Sequence, residues 1–379
     1  MKKILIIAGE ASGDLHGSRL VRSMKAQDPT LTFYGVGSRN MRDAGVSLLA
    51  DASAISVVGA TEVLSHIGAI YTVYARLKRF LREERPDLLI LIDFPDFNIC
   101  VGKAAKKLGV PILYYISPQV WAWRKGRVHT LAKLVTAIMV VFPFEVELYR
   151  KAGVDVRFVG HPLADVVKSE HTREQARKIL GVRQEGRTVA LLPGSRSNEI
   201  MHLLPDMLKA AAILKLRFPD IQYLLPVAPT LAHELVERYV AESGLAVSII
   251  DGKVYDVLRA SDAAIVTSGT ATLETGLMAV PMVIVYRMSK LSYLIGRLFI
   301  HVKHIGLVNI VAGRTVVPEL IQNDVTPEKM AGAIGSLLAD QEKLRSVESD
   351  LMQVRAQLGA GGASERAASV ARELIERAA

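Results

Sequence analysis

Short apolar runs alternate with longer amphipathic stretches through both halves of this 379-residue chain. In the first half the runs fall at 3–8, 32–36, 88–92, 112–116, 137–141 and 156–159; in the second they fall at 188–192, 222–227, 247–250, 263–267 and 282–285. Runs of this length between helical stretches mark parallel strands covered on both faces. The fold class expected is therefore α/β, with two doubly wound, Rossmann-like domains facing across a crevice at their strand ends. The boundary is expected after Gly160-His161-Pro162, where the charged, non-periodic stretch 168–178 interrupts the apolar pattern. This gives domains 1–165 and 166–345, followed by C-terminal helices over 346–379 that fold back on the first domain or are exchanged in a homodimer.

The length suits two cores rather than one. Half of the residues are hydrophobic and the mean hydropathy is +0.26, so some exposed apolar surface is expected. No run approaches the ~20 apolar residues a spanning helix needs. The opening apolar run reads as a buried strand rather than a signal sequence, because Glu10 and Asp14 interrupt it. The single cysteine, Cys100, cannot form an internal disulfide, which points to the cytoplasm.

The net charge is +9, and residues 1–165 hold 22 Lys and Arg against 15 Asp and Glu. An anionic partner follows for that half. The familiar nucleic-acid motifs are missing, so an anionic membrane surface or an anionic substrate is the expectation, with no nucleic acid.

Two loops of the second half carry the strongest chemistry. Pro193-Gly194-Ser195-Arg196 and Ser268-Gly269-Thr270-Ala271 each follow an apolar strand and open a helix. Small residues there let a phosphate approach helix N-terminal N–H groups, and Arg196 adds a fork of donors. Glu274 follows one turn later, where a ribose diol would sit. Together they suggest a nucleotide-diphosphate site, although either loop alone reads more readily as a tight ligand-free turn.

In the first half, Gly9-Glu10-Ala11-Ser12-Gly13-Asp14 is not a dinucleotide fingerprint, because Glu10 would repel a pyrophosphate. Acceptor binding, with Ser12 and Asp14 as candidates, fits better. Asp93 leaves the strand at 88–92 as a candidate catalytic carboxylate, whereas Asp96 is expected to cap a helix starting near Asn98. Trp121, Trp123 and Arg124 suit sugar stacking, interfacial anchoring or plain packing. From Glu62 to Arg85 a helix is expected with Val63, Leu64, Ile67, Ile70, Tyr71 and Tyr74 on one side and a basic end at Lys78, Arg79, Arg82 and Arg85. It either packs on the sheet or faces lipid.

Taken together, Gly9-Glu10-Ala11-Ser12-Gly13-Asp14, Ile92-Asp93-Phe94-Pro95-Asp96-Phe97-Asn98, 117–124, Leu192-Pro193-Gly194-Ser195-Arg196, Ser268-Gly269-Thr270-Ala271 with Glu274, and Asn309 with Ala312-Gly313-Arg314 closely resemble the lipid-A-disaccharide synthase family over essentially the whole chain. The resemblance implies the GT-B architecture. It also implies transfer from UDP-2,3-diacylglucosamine to 2,3-diacylglucosamine 1-phosphate (lipid X), giving a β-1,6-linked disaccharide and UDP on the cytoplasmic face of the inner membrane. It further implies that UDP lies against Ser195, Arg196, Ser268, Gly269, Thr270, Ala271 and Glu274, with Arg287 and Asn309 nearby, and that Asp93 and Glu10 face the reacting sugars. The alternatives are a UDP-sugar 2-epimerase of similar architecture and a non-catalytic nucleotide-sugar or lipid-binding protein. No cofactor is expected. Nor is a metal, since the chain has no Asp-x-Asp pair and His301 and His304 have no local carboxylate partner.

Overall fold

A computed structural model describes residues 2–54, 60–118, 120–123, 126–228, 231–288 and 303–377, with only the backbone path described for 60–66, 122 and 123. The described chain divides into two compact units, one running to Asp165 and resuming at Leu358, the other spanning Val166–Gln357.

The first unit is built on seven parallel strands: β1 (Lys3–Ala8), β2 (Thr32–Gly37), β3 (Val46–Asp51), β4 (Leu88–Ile92), β5 (Ile112–Tyr115), β6 (Ala137–Val140) and β7 (Asp155–Phe158). Their order is β3-β2-β1-β4-β5-β6-β7. The central strands β1 and β4 are apolar on both faces because helices cover each side, and every residue of β4 is buried. The second unit repeats the plan with β8 (Thr188–Leu192), β9 (Gln222–Val227), β10 (Val247–Asp251), β11 (Ala263–Thr267), β12 (Met282–Tyr286) and β13 (Glu319–Ile321), in the order β10-β9-β8-β11-β12-β13. In each sheet the strand order reverses beside the first strand, and that switch point is where ligands collect in open α/β sheets.

Two strands escape the sequence pattern. Strand β3 is mostly half-buried at a sheet edge, and β13 is only three residues long, so neither forms a continuous apolar run.

The C-terminal break expected at 345/346 falls inside helix Gln341–Gln357. This helix buries Leu344, Leu351 and Val354 and stays in the second unit against helices Thr270–Leu277 and Leu307–Ala312. The chain crosses back one turn later. Leu358 accepts a backbone hydrogen bond from His161 at 2.8 Å, and helix Ala363–Arg377 packs along helix Ala11–Gln27 of its own first unit. Asp165 fixes the start of that returning helix by accepting from the Gly362 and Ala363 N–H groups at 2.6 and 3.2 Å.

These two charge-assisted bonds satisfy helix N-terminal donors, and their loss leaves the donors unpaired. Asp165→Ala is expected to lower the unfolding free energy by about 1–3 kcal/mol, measured by urea titration. An unchanged midpoint would show that the helix docks without this tie.

Candidate active site

In the second unit, the loops after β8 and β11 line one cavity of about 510 Å³. It gathers Ser195, Arg196, Ser268, Gly269, Thr270, Ala271 and Glu274. Gly194 has φ +125° and Gly269 has φ +143° with ψ −159°, conformations that side chains rarely adopt. The two helices that follow, Ser197–Arg217 and Thr270–Leu277, begin at these loops and point their N-termini at the cavity. Ser268 is held rigidly, its N–H on the Val285 carbonyl at 2.9 Å and its hydroxyl on the Ile305 carbonyl at 3.1 Å. Glu274 accepts from the Tyr255 hydroxyl at 2.9 Å, while burial holds its carboxyl above the usual carboxylate range.

Three cavity features escape sequence reasoning. Lys253, in a left-handed turn after β10, supplies a second cation; Gly252-Lys253 at a strand end was the available signal. Pro226, Val227 and Val254 add apolar walls. Glu199, a carboxylate, sits on the first loop and accepts from the Ser195 and Arg196 N–H groups at 2.9 and 3.3 Å. It also pairs with Arg196 Nη1 at 3.0 Å. The Arg196 fork is thus partly engaged within the protein.

Two expected donor-site residues do not line this cavity. Asn309 is fully buried and saturated: its Nδ2 donates to Val317 O and Glu319 Oε1, both at 2.8 Å. Its Oδ1 accepts from the Val316 and Val317 N–H groups at 2.8 and 3.1 Å, leaving no capacity for a ligand. Arg287 instead ties helix Ser197–Arg217 to the end of β12, through Asp206 Oδ2 at 2.7 Å, His202 O at 3.0 Å and the Val325 carbonyl. His304 faces Glu319 at 3.9 Å, and His301 lies outside the described residues.

In the first unit, β1 and β4 are neighbours with Ala8 opposite Ile92, so Glu10 and Asp93 leave the sheet side by side. Asp93 and Phe94 take φ +43° and +45°, two consecutive left-handed residues that are not glycine. Each costs about 1–3 kcal/mol and persists only where neighbours over-determine it. Here they do: the Asp93 carbonyl accepts from Asn98 Nδ2 at 2.7 Å and from the Tyr114 hydroxyl at 2.6 Å. Burial first, then the Glu10 charge, pushes the Asp93 carboxyl up to about 6, against a smaller opposing pull from the Phe94 N–H. Glu10 is the exposed residue at the start of helix Ala11–Gln27, and Ser12 is exposed in its first turn.

Asp14, expected at the acceptor, is structural. It is 2% exposed and accepts from the Ser38, Asn40 and Met41 N–H groups and from Asn40 Nδ2 at 2.6–3.2 Å, capping the helix Arg39–Asp43. Asp96 does not cap a helix at Asn98 either. The helix already starts at Pro95, and Asp96 pairs with Arg127. The Trp121 indole stands edge-on to Phe144 with ring centroids 5.2 Å apart, whereas the side chains of Trp123 and Arg124 lie outside the described residues. Beneath that cluster, burial pushes the Glu145 carboxyl up to about 7, although the Phe142 N–H and Ser117 hydroxyl stabilise its charge.

Helix Ala60–Glu84 divides its apolar residues. Val73, Leu77 and Leu81 enter the core, and Ile70 and Tyr74 lean on it, so Ile70 is not a free lipid-facing residue. Ile67 and Tyr71 are 60% and 70% exposed. The side chains of Val63 and Leu64 lie outside the described residues. Further along, Tyr74, Lys78 and Arg82 line a groove with Lys103 and Lys107 of helix Pro95–Lys107. No helix among the described residues is long and apolar enough to cross a membrane.

The sequence matches the model of the lipid-A-disaccharide synthetase family over residues 4–374. The chain belongs to that family. The lipid-A-disaccharide synthase of Syntrophus aciditrophicus is 51% identical over 377 residues, covering 99% of this chain and 98% of that relative. Among solved structures, UDP-GlcNAc 2-epimerase from Neisseria meningitidis bound to UDP-GlcNAc superposes with a TM-score of 0.66 at 12% identity, over 99% of this chain and all of that one. MurG of Acinetobacter baumannii gives 0.62 at 14%, over 98% and 100%. Such distant likenesses show the fold alone. A member of the lipid-A-disaccharide synthetase family with this fold is a GT-B glycosyltransferase of lipid-A disaccharide synthesis, and the epimerase alternative is not favoured.

The Asp93 environment also bears on stability. A folded-state value near 6, against about 3.9 for an unfolded aspartate, means that the carboxylate disfavours the fold above about pH 6 and ceases to matter below about pH 4. Asp93→Asn is therefore expected to stabilise the protein by about 1–3 kcal/mol at neutral pH, with the gain vanishing near pH 4. Urea melts at both pH values check it, and equal stability at neutral pH would contradict the desolvated carboxylate.

Proposed function

We propose that the chain joins UDP-2,3-diacylglucosamine to lipid X with inversion, forming the β-1,6-linked disaccharide 1-phosphate and UDP. The observation that carries the catalytic assignment is Asp93, a carboxyl raised to about 6 on a strained elbow at the carboxyl edge of β4. A base of that strength is ionised at neutral pH yet still basic enough to take a proton in the transition state. Asp93 accepts the proton of the acceptor 6-hydroxyl as that oxygen attacks the anomeric carbon. Glu10 keeps the Asp93 carboxyl basic by its adjacent charge.

The second unit is the donor domain. UDP lies in its cavity, with the diphosphate against Ser268, Gly269, Thr270 and Ala271 on one side and Ser195 and Arg196 on the other. Lys253 adds charge, and the apolar walls flank the base. Glu274, oriented by Tyr255, accepts from the ribose hydroxyls. Arg196, Lys253 and the helix N-terminal N–H groups stabilise the negative charge that builds on the departing diphosphate.

The first unit is the acceptor and membrane-facing domain, with Ser12 beside the acceptor. Ile67, Tyr71, Tyr74, Lys78 and Arg82 form one stripe of helix Ala60–Glu84, apolar at one end and basic at the other. That gradient suits a peripheral attachment to the anionic cytoplasmic surface of the inner membrane.

Incubating purified protein with the donor, with and without lipid X, tests the reaction: disaccharide supports it, whereas free 2-epimer or no turnover rejects it. Asp93→Asn should retain UDP binding and lose about 10²–10⁴-fold in kcat. The acid limb of the wild-type rate should fall near pH 6, and Glu10→Gln should move it to lower pH, since removing the neighbouring charge makes the carboxylate easier to form. A limb unmoved by Glu10→Gln and a mild Asp93→Asn would refute the base assignment.

Ile67→Ser with Tyr71→Ser should weaken binding to anionic liposomes without changing the melting temperature, because both side chains are exposed. Undiminished binding at low salt would remove this stripe from the membrane contact.

A further inference from the structure

The loop that should receive the diphosphate already holds an anion of its own. Glu199 Oε2 takes the Ser195 and Arg196 N–H groups, and Oε1 takes the Arg196 guanidinium. An ordinary capping box needs only one such bond, from the residue three positions on to the N-cap N–H. Here the same carboxylate also covers the preceding N–H and the one cation of the loop. The backbone is shaped around it: a Cβ on Gly194 would stand 2.2 Å from Glu199 Oε2 and 2.7 Å from Glu199 Cβ. The facing loop differs, since a Cβ on Gly269 would meet nothing within 4 Å. Glu199 and both loops line the same cavity. A carboxylate and a phosphate group cannot share one set of donors without like-charge repulsion.

We propose that Glu199 is an exchangeable internal anion, which holds the donors of the 194–196 loop in the empty site, surrenders them to the diphosphate, and reclaims them to expel UDP. This rests on the UDP reading of the cavity. Glu199 is then a positioning residue that hands Arg196 between two anions. It sets a ceiling on UDP affinity, because every binding event displaces an existing ion pair. The effect is greatest for the product, whose freed β-phosphate carries one more negative charge than the same phosphate in the sugar diphosphate. Sequence patterns hide this role, since Glu at that position is also what helix capping prefers.

The test is calorimetric titration of wild type and Glu199→Gln with UDP. Glutamine keeps a carbonyl acceptor for both N–H groups but no longer carries the competing charge. The variant is expected to bind UDP about tenfold more tightly, with a correspondingly lower UDP inhibition constant and a lower kcat where product release limits turnover. Unchanged or weaker UDP binding by the folded variant overturns the proposal while leaving the UDP site intact. Wild type that binds no UDP overturns both. A structure of the wild type with UDP gives an independent reading: Glu199 withdrawn from the Ser195 N–H supports the exchange, and Glu199 still bonded there refutes it.

Discussion

A single carbonyl oxygen governs the carboxyl edge of β4 in the first unit. Asp93 O receives both the Asn98 amide and the Tyr114 hydroxyl, and these bonds hold two consecutive residues in a left-handed conformation that neither favours. The clamp is itself well founded: Asn98 is fully buried in the first turns of helix Pro95–Lys107, and Tyr114 is fully buried in β5. Local strain is thus offset by the rigidity of the elements on either side. The result is a carboxylate at the sheet edge that stays desolvated enough for its carboxyl to be pushed up to about 6. The loop after β11 in the second unit follows the same rule, with Gly269 in a conformation closed to other residues and Ser268 tied at both its N–H and its hydroxyl.

How much of this could be read in advance depended on the kind of signal. Strands such as β1, β4, β8 and β11 declare themselves because burial on both faces demands uninterrupted apolar runs. The two loops that line the second unit's cavity declare themselves through glycine and small polar residues after those runs. Contacts made by a side chain reaching across space leave no such trace. The family resemblance puts Asn309 and Arg287 near UDP, yet one is saturated by its own neighbourhood and the other spans a helix and a strand end. Asp14 fails for the same reason: a carboxylate beside a glycine loop is equally well suited to capping a neighbouring helix, and only the position of the Ser38–Met41 turn decides. The helix Ala60–Glu84 shows the limit of periodicity, which identifies an apolar face but not whether Ile70 or Ile67 meets the sheet.

The return of the chain to its first unit has a consequence for how the protein is made. Helix Ala363–Arg377 is needed to cover helix Ala11–Gln27, and it is synthesised only after the entire second unit. On a ribosome, the first sheet therefore emerges early, but helix Ala11–Gln27 on it remains without its packing partner for nearly the whole of translation, exposing apolar surface. The second unit, continuous in sequence, can complete its core without waiting for any other part of the chain. Order of synthesis and order of completion are thus reversed between the two units, and the nascent first unit is the one a chaperone would have reason to hold.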